Sequence, residues 1–120
     1  MTRNLALQIT FRHMDPSPAL EARIRELAQN LDPFNEHILN CHVVVEPPSS
    51  HHRAGLFDIT LEISVPGENI AIRTERSPDP AHEDPYVAVR DAFRAARRRL
   101  EDYMSKRRQD VKAHSLPPRP

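Results

Sequence analysis

The chain has 120 residues, of which 38% are hydrophobic and 28% charged, and its 17 basic and 17 acidic residues give a formal net charge of zero. This length is typical of one domain with a small core, and no apolar run approaches the roughly 18 residues that a transmembrane helix needs. The single cysteine, Cys41, excludes an internal disulfide framework, and the first residues lack a signal-peptide pattern. These features predict a cytoplasmic protein.

The charge is unevenly distributed along this neutral chain. Residues 84–108, DPYVAVRDAFRAARRRLEDYMSKRR, contain eight Arg or Lys residues. Residues 85–112 carry nine basic and four acidic residues, whereas the remainder carries eight basic and thirteen acidic ones. Such segregation is typical of a surface that meets nucleic acid or an acidic partner.

The first predicted elements are a strand and a helix. Apolar and polar or small residues alternate over residues 5–11, which predicts a strand with one buried face. Ser17 is a suitable helix N-cap, and Pro18 suits the first helical position. The apolar residues that follow at helical spacing predict a helix to about Leu31, where Asp32-Pro33 would end it.

Three further strands are predicted, over residues 38–46, 57–65 and 70–76. The segment Pro66-Gly67-Glu68-Asn69 predicts a hairpin turn between the last two, because proline and glycine supply the angles of a tight reversal. The apolar face of the 38–46 strand would consist of Leu39, Cys41, Val43 and Val45.

A long second helix is predicted after a stiff polar loop, Ser77–Pro85. Asp84 would cap it, Pro85 would be its first residue, and it would end near Lys112. A single domain over residues 1–112 and a disordered tail over residues 113–120 are expected. The apolar stripe of this helix would consist of Tyr86, Val89, Phe93, Ala96, Leu100, Tyr103 and Met104.

The predicted order is therefore β-α-β-β-β-α. The economical packing places two helices on one face of a four-stranded, mostly antiparallel sheet, which is a two-layer α+β fold. The first two strands, if they are neighbours, should be parallel because a helix connects them.

The basic residues of the last helix are candidates for nucleic-acid contact. On a helical wheel, Arg99 and Lys106 lie opposite a band of arginines along one flank of the apolar stripe. Arginine suits phosphate because its planar fork can bind two oxygens at once. A solvated charged face, paired locally with nearby carboxylates, is the alternative. The band consists of Arg90, Arg94, Arg97, Arg98 and Arg108.

Other kinds of site have weaker support. His51 and His52 suggest a metal ion, but adjacent histidines in a loop have no fixed geometry, so no metal or cofactor is expected. Cys41 is most simply a small core residue. The sequence contains no phosphate-binding glycine loop and no nucleophile motif, so neither an enzyme nor a small-molecule substrate is expected.

Several segments together resemble the ribosome hibernation-promoting factor family, also called ribosome-associated inhibitor or S30EA-like proteins. ITFRHMDPSPALEARIRELAQNL is similar to its first strand, Arg-containing turn and first helix, and NCHVVVE to its second strand. FDITLEISVPGENIAIRTE is similar to the third and fourth strands. DPYVAV and RRRLEDYMSK are similar to the two ends of its last helix. The resemblance covers about residues 5–108, without the second domain of long-form relatives.

The resemblance implies a β-α-β-β-β-α domain that binds the small ribosomal subunit near the decoding centre and blocks tRNA and mRNA without catalysis. Matching basic positions are Arg98, Arg99 and Lys106. Arg12 is the arginine of the similar turn, and Arg23 is a further candidate on the similar first helix, whose basic residues are Arg23 and Arg25. A monomer or weak homodimer without a membrane partner is expected. Charge placement alone adds Arg90, Arg94, Arg97, Arg107 and Arg108 to the RNA-binding candidates.

Two departures from the family pattern support a second hypothesis. Glu101-Asp102 replaces residues that are often basic in the family, and Ser77–Pro85 is longer than usual. A diverged paralogue that acts as a protein-interaction module without ribosome binding is the alternative.

Overall fold

The computed structural model describes residues 6–49 and 55–115, and the side chains of residues 6–49 and 55–109. Leu5, the histidine pair His51-His52 and residues 116–120 lie outside the described residues. Short 3₁₀ helices occupy parts of the connections, at Phe34–His37, Thr74–Arg76 and Pro80–Glu83. The helices and strands are β1 (Leu7–Phe11), α1 (Pro18–Gln29), β2 (Asn40–Glu46), β3 (Asp58–Val65), β4 (Glu68–Arg73) and α2 (Pro85–Ser115).

The four strands form one sheet in the order β1-β2-β3-β4. β1 and β2 are parallel, and the other two pairs are antiparallel. The register places Val43 beside Leu61, and Leu61 beside Ile72, so apolar side chains of neighbouring strands share one face. The predicted α+β fold and strand directions are therefore confirmed.

Both helices cover this apolar face. Ile24 of α1 and Leu100 of α2 join Leu61 of β3 in a single buried cluster, in which all three are fully buried. Cys41 also lies in the cluster, as predicted, and burial raises the pKa of its thiol to about 12. The opposite sheet face is polar, and there Thr10 Oγ1 lies 2.9 Å from His42 Nε2.

The predicted helix start is confirmed, and so is the hairpin, although its turn is only Pro66-Gly67 because Glu68 and Asn69 already belong to β4. Ser17 Oγ accepts a hydrogen bond from the amide of Leu20, and Pro18 is the first helical residue. Gly67 has a φ of +81°, a left-handed conformation that glycine adopts without the steric cost of a side chain.

Some predicted boundaries differ from the observed ones. α1 ends at Gln29 rather than Leu31, and α2 reaches Ser115, beyond the expected Lys112. β4 ends at Arg73 because the chain turns at Thr74, whose hydroxyl takes the place of a strand partner and accepts a hydrogen bond from the amide of Ile59.

Two residues predicted to be in the core are instead exposed. Leu39 is 53% exposed because β2 begins only at Asn40, so the alternation of the strand does not extend to Leu39. Tyr86 is 42% exposed, since the buried stripe of α2 begins at Ala88. Ala88 and Ala92 belong to that stripe, although helical periodicity had not placed them there. None of the described helices is long and apolar enough to cross a membrane.

Leu61→Ala should lower the free energy of unfolding by about 2–5 kcal/mol, because it leaves a cavity under α2. Leu39→Ala is the matched control and should change it by less than about 0.5 kcal/mol. Urea unfolding followed by circular dichroism measures both. Similar losses in the two variants would contradict this assignment of core and surface.

Candidate nucleic-acid interface

α2 is capped at its start and is bound to the β3–β4 turn farther along. At its start, Asp84 Oδ1 accepts a hydrogen bond from the amide of Tyr86, as expected for the predicted cap. Farther along, Tyr103 Oη donates to the carbonyl of Pro66 in the β3–β4 turn at 2.7 Å. A 31-residue helix is about 46 Å long, whereas the eight residues of β3 span about 26 Å. The helix therefore extends past the sheet.

The extension carries exposed positive charge. Lys106 and Arg108 are exposed and form no ion pair within the described part of the chain. Arg107 is also exposed, but its Nη1 donates to Tyr103 Oη at 2.9 Å, and its guanidinium lies 5.6 Å from the centre of that ring. The structure thus keeps three of the predicted RNA-binding residues together beyond the sheet.

Arg97 has a structural role. Its guanidinium donates to the carbonyls of Asn30 and Asp32, at 3.1 and 2.8 Å, and lies 5.4 Å from the centre of the Phe34 ring. α1 has no basic residue in its own last turn, so Arg97 supplies the positive charge that favours a helix C-terminus. Because its N–H groups donate to protein carbonyls, Arg97 differs from the other arginines of the predicted band, which were expected to contact phosphate.

Three other predicted residues form local ion pairs. Arg90 Nη2 lies 3.3 Å from Asp91 Oδ1, and Arg12 Nη1 lies 3.6 Å from the carboxylate of Glu46. Arg23 pairs with its helical neighbour Glu26. Arg12 follows β1, at the sheet edge opposite β4, and Arg23 lies on α1. The structure therefore does not bring Arg12 and Arg23 together with the arginines on the β4 side of α2.

A groove with a volume of about 450 Å³ runs between α2 and the edge formed by β4 and the following 3₁₀ helix. We call it the arginine groove. Its floor includes apolar atoms of Ile72, Ala92 and Ala95, and Asp79, His82 and Asp91 lie among its lining residues. Its basic lining residues are Arg73, Arg76, Arg94, Arg98 and Arg99.

Four of these arginines have no ion pair with any residue in the described ranges; only Arg73 has one, 3.5 Å from Glu75. Arg99 lines the groove together with Arg94 and Arg98, and it also lines a neighbouring cleft with Lys106, with which it was predicted to share a side of the helix.

Arg73 and Arg76 were missed as binding residues. From the sequence alone, both are charged residues of an edge strand, where they disfavour pairing with a strand of another molecule. Nothing in the local sequence pattern relates them to α2. The sequence feature that could have pointed to Arg73 and Arg76 is their position at the end of the edge strand, immediately before the loop that leads to the basic helix. The fold then places both on the wall of the groove that faces Arg94, Arg98 and Arg99.

A buried, hydrogen-bonded histidine lines one part of the groove. His82 is only 3% exposed, and its Nε2 lies 2.8 Å from Asp91 Oδ2. Burial of Asp91 acts to raise its pKa, but hydrogen bonds to His82 and Arg90 and the Arg90 charge outweigh it and lower the pKa. Asp91 is therefore charged and already partnered.

The same region contains a set of possible metal ligands. Ligand atoms of Asp79, His82 and Asp91 lie within 4.8 Å of one another. Asp91 already binds His82 and Arg90, and Asp79 Oδ1 accepts a hydrogen bond from the amide of Ala81. The surrounding arginines disfavour a cation, so we assign this cluster to the packing of the loop against α2.

The fold and these residues define a small α+β domain with an arginine-lined edge. The chain matches the family model described as "Sigma 54 modulation protein / S30EA ribosomal protein" over residues 7–108, and it belongs to that family. This is a family of ribosome-associated factors rather than of enzymes. The resemblance inferred from the sequence is thereby confirmed.

Two solved structures show the same fold. A ribosomal subunit interface protein from Coxiella burnetii matches with a TM-score of 0.64 and 19% identity, over 84% of this chain and 99% of that one. The Protein Y N-terminal domain from Thermus thermophilus matches with a TM-score of 0.63 and 17% identity, over the same shares. No curated protein sequence matches this chain at a significant level.

Arg97→Ala should lower the free energy of unfolding by about 1–2 kcal/mol, because two carbonyls at the end of α1 lose a charged donor. Arg94→Ala, a substitution of the same type one turn earlier, should change it by less than about 0.5 kcal/mol. Chemical denaturation compares the two. An Arg97→Ala variant as stable as Arg94→Ala would contradict the structural role.

Asp91→Asn should destabilise the protein at neutral pH, because it removes the charge that pairs with His82 and Arg90. The pKa of Asp91 is lower in the folded protein than its unfolded value of 3.8, so the Asp91 carboxylate stabilises the fold fully at a pH above 3.8. This stabilisation is lost as the pH falls through the lower pKa of the folded state. The difference in stability from the wild type should therefore shrink as pH falls from 7 to 3. Asp102→Asn, at an exposed carboxylate of α2, controls for general charge effects.

Proposed function

We propose that this protein binds the small ribosomal subunit through rRNA phosphates, with the arginine groove and the extension of α2 as its contact surface. Family membership supports a ribosome-associated role. The observation that carries the proposal is the groove, which is lined by arginines of α2 and by arginines of the β4 edge. Four of the five have no carboxylate partner among the described residues, and paired guanidinium and phosphate groups form strong charge-assisted hydrogen bonds.

The contacts would be with the RNA backbone rather than with base edges. Guanidinium groups bind phosphate oxygens without reading sequence, and a folded RNA presents phosphates in a fixed spatial arrangement. α2 would lie along the RNA, with Arg94 and Arg98 in the middle of the contact and Lys106, Arg107 and Arg108 at its end. The protein would recognise RNA shape.

Binding near the decoding centre would inhibit translation by occlusion. A domain seated there excludes tRNA and mRNA in proportion to its occupancy, so the protein acts stoichiometrically in the cytoplasm and needs no cofactor. The resemblance to the hibernation-promoting factor family supports this location. The resulting idle ribosomes would be a form of stress response.

A protein-interaction module without ribosome binding is the second candidate. Glu101 and Asp102 are exposed on α2 between the groove arginines and the basic extension, where they repel RNA phosphates. They favour a partner with mixed charge. This candidate predicts no ribosome association under any salt condition, and the experiment below separates the two.

Arg94→Glu combined with Arg98→Glu should abolish co-sedimentation with small ribosomal subunits at low salt, because two attractive charges become repulsive. Arg25→Glu is the control, since Arg25 lies on α1 and pairs with Glu21 outside the groove. Circular dichroism verifies that each variant is folded. Undiminished co-sedimentation of the double variant would reject the groove as the contact, and no binding by the wild type would favour the interaction module.

Salt dependence gives a quantitative form of the same experiment. Each arginine that contacts a phosphate releases counterions, so replacing both Arg94 and Arg98 by alanine should reduce the slope of log affinity against log salt by about 2. Arg25→Ala should leave the slope unchanged.

A further inference from the structure

The arginine groove has the form of a small-molecule site as well as that of an RNA contact. Its volume of about 450 Å³ lies within the range of about 300–1,000 Å³ that is usual for ligand pockets. One wall is α2, and the other is β4 with the 3₁₀ helix Thr74–Arg76. A groove of this volume has room for a small-molecule ligand as well as for RNA phosphates.

The charge of the groove fits adjacent phosphates. Five arginines and two acidic residues line the groove, and both carboxylates have partners: Asp91 binds His82 and Arg90, and Asp79 accepts from a backbone amide. Arg94 and Arg98 are four residues apart on one helix face, where like charges repel each other. A ligand with several neighbouring negative charges would offset that repulsion more fully than a single phosphate.

The floor of the groove adds a preference for an aromatic ring. Ile72 and Ala95 are half-buried lining residues, and their accessible apolar atoms lie among the arginines of the groove. A flat nucleobase can lie on such a surface, and guanidinium planes stack well on aromatic faces. Phosphates at the arginines and a base on the floor together describe a nucleotide.

We infer that the arginine groove binds a nucleoside polyphosphate. The ligand would place its phosphates against Arg76 and Arg98 on opposite walls and its base on the apolar floor. If the proposed RNA contact is correct, ligand and RNA would compete for the same arginines, and the ligand would release the protein from the ribosome. The binding itself requires no ribosome.

Isothermal titration calorimetry of the purified protein with ATP, ADP, AMP, pyrophosphate and adenosine tests the inference. Affinity should rise from AMP to ADP to ATP, and ADP should bind more tightly than pyrophosphate because the floor holds the base. Equal affinity for AMP and ATP would overturn the phosphate assignment. Pyrophosphate binding as tightly as ADP would overturn the base assignment.

Arg76→Ala and Arg98→Ala should each weaken ATP binding by about ten-fold, the effect expected from losing one charge-assisted hydrogen bond. Arg25→Ala removes the same charge outside the groove and should leave ATP affinity unchanged. Equal weakening by Arg25→Ala, or none by Arg76→Ala, would show that ATP binds elsewhere or only through overall charge.

A competition experiment separates the two proposals. ATP should displace the protein from small subunits in co-sedimentation, with Mg²⁺ held constant. If the protein binds ATP in calorimetry but does not associate with ribosomes, the ligand site is supported and the proposed function is contradicted. If the protein associates with ribosomes but the free protein does not bind ATP, the proposed function is supported and the ligand site is contradicted.

Discussion

The packing of α2 on the apolar face of the sheet determines both the core and the basic surface. Ala88, Ala92 and Ala96 are buried along this helix, and such small side chains let a helix approach a sheet closely. Their positions set the rotation of the helix, and every other residue follows at about 100° per step. Arg97 consequently projects toward α1, whereas Arg98 projects toward β4.

Adjacent arginines therefore have different roles in the same helix. The donors of Arg97 are occupied by carbonyls at the end of α1, and this contact links the two helices. Arg98 lines the groove without an ion pair to any described residue. Counting basic residues overestimates the number of phosphate contacts, since an arginine that satisfies buried or terminal carbonyls gains nothing further by turning to solvent.

Much of the fold follows from local patterns. Apolar and polar residues alternate along β3, and Ser17 and Asp84 cap the two helices. Each of these features depends on a few neighbouring residues, so it could be predicted from the sequence. Leu39 was misplaced because it precedes β2, and Tyr86 because it lies in the first turn of α2, before the buried stripe of that helix begins. Burial at such ends depends on tertiary contacts, which periodicity does not contain.

The site was less predictable than the fold for a related reason. Arg94 and Arg98 could be found because they lie within one charged segment. Arg73 and Arg76 are distant from that segment in the chain and face it only after β4 has paired with β3 and α2 has packed beside the sheet edge. A groove between two elements is a property of their packing, and no local pattern of charge describes it.

A net charge of zero is compatible with strong local binding of an anion. A phosphate in physiological salt responds mainly to charges within about one Debye length, roughly 8 Å. The acidic residues that neutralise the chain include Glu62 on the polar sheet face and Glu21 on α1, where it pairs with Arg25. Those surfaces lie apart from the groove, where the proposed RNA contact is located. Phosphate contacts carry no sequence information, so such an interface must determine how the protein is oriented on the RNA. Basic residues confined to one surface determine this orientation better than a uniformly basic surface would.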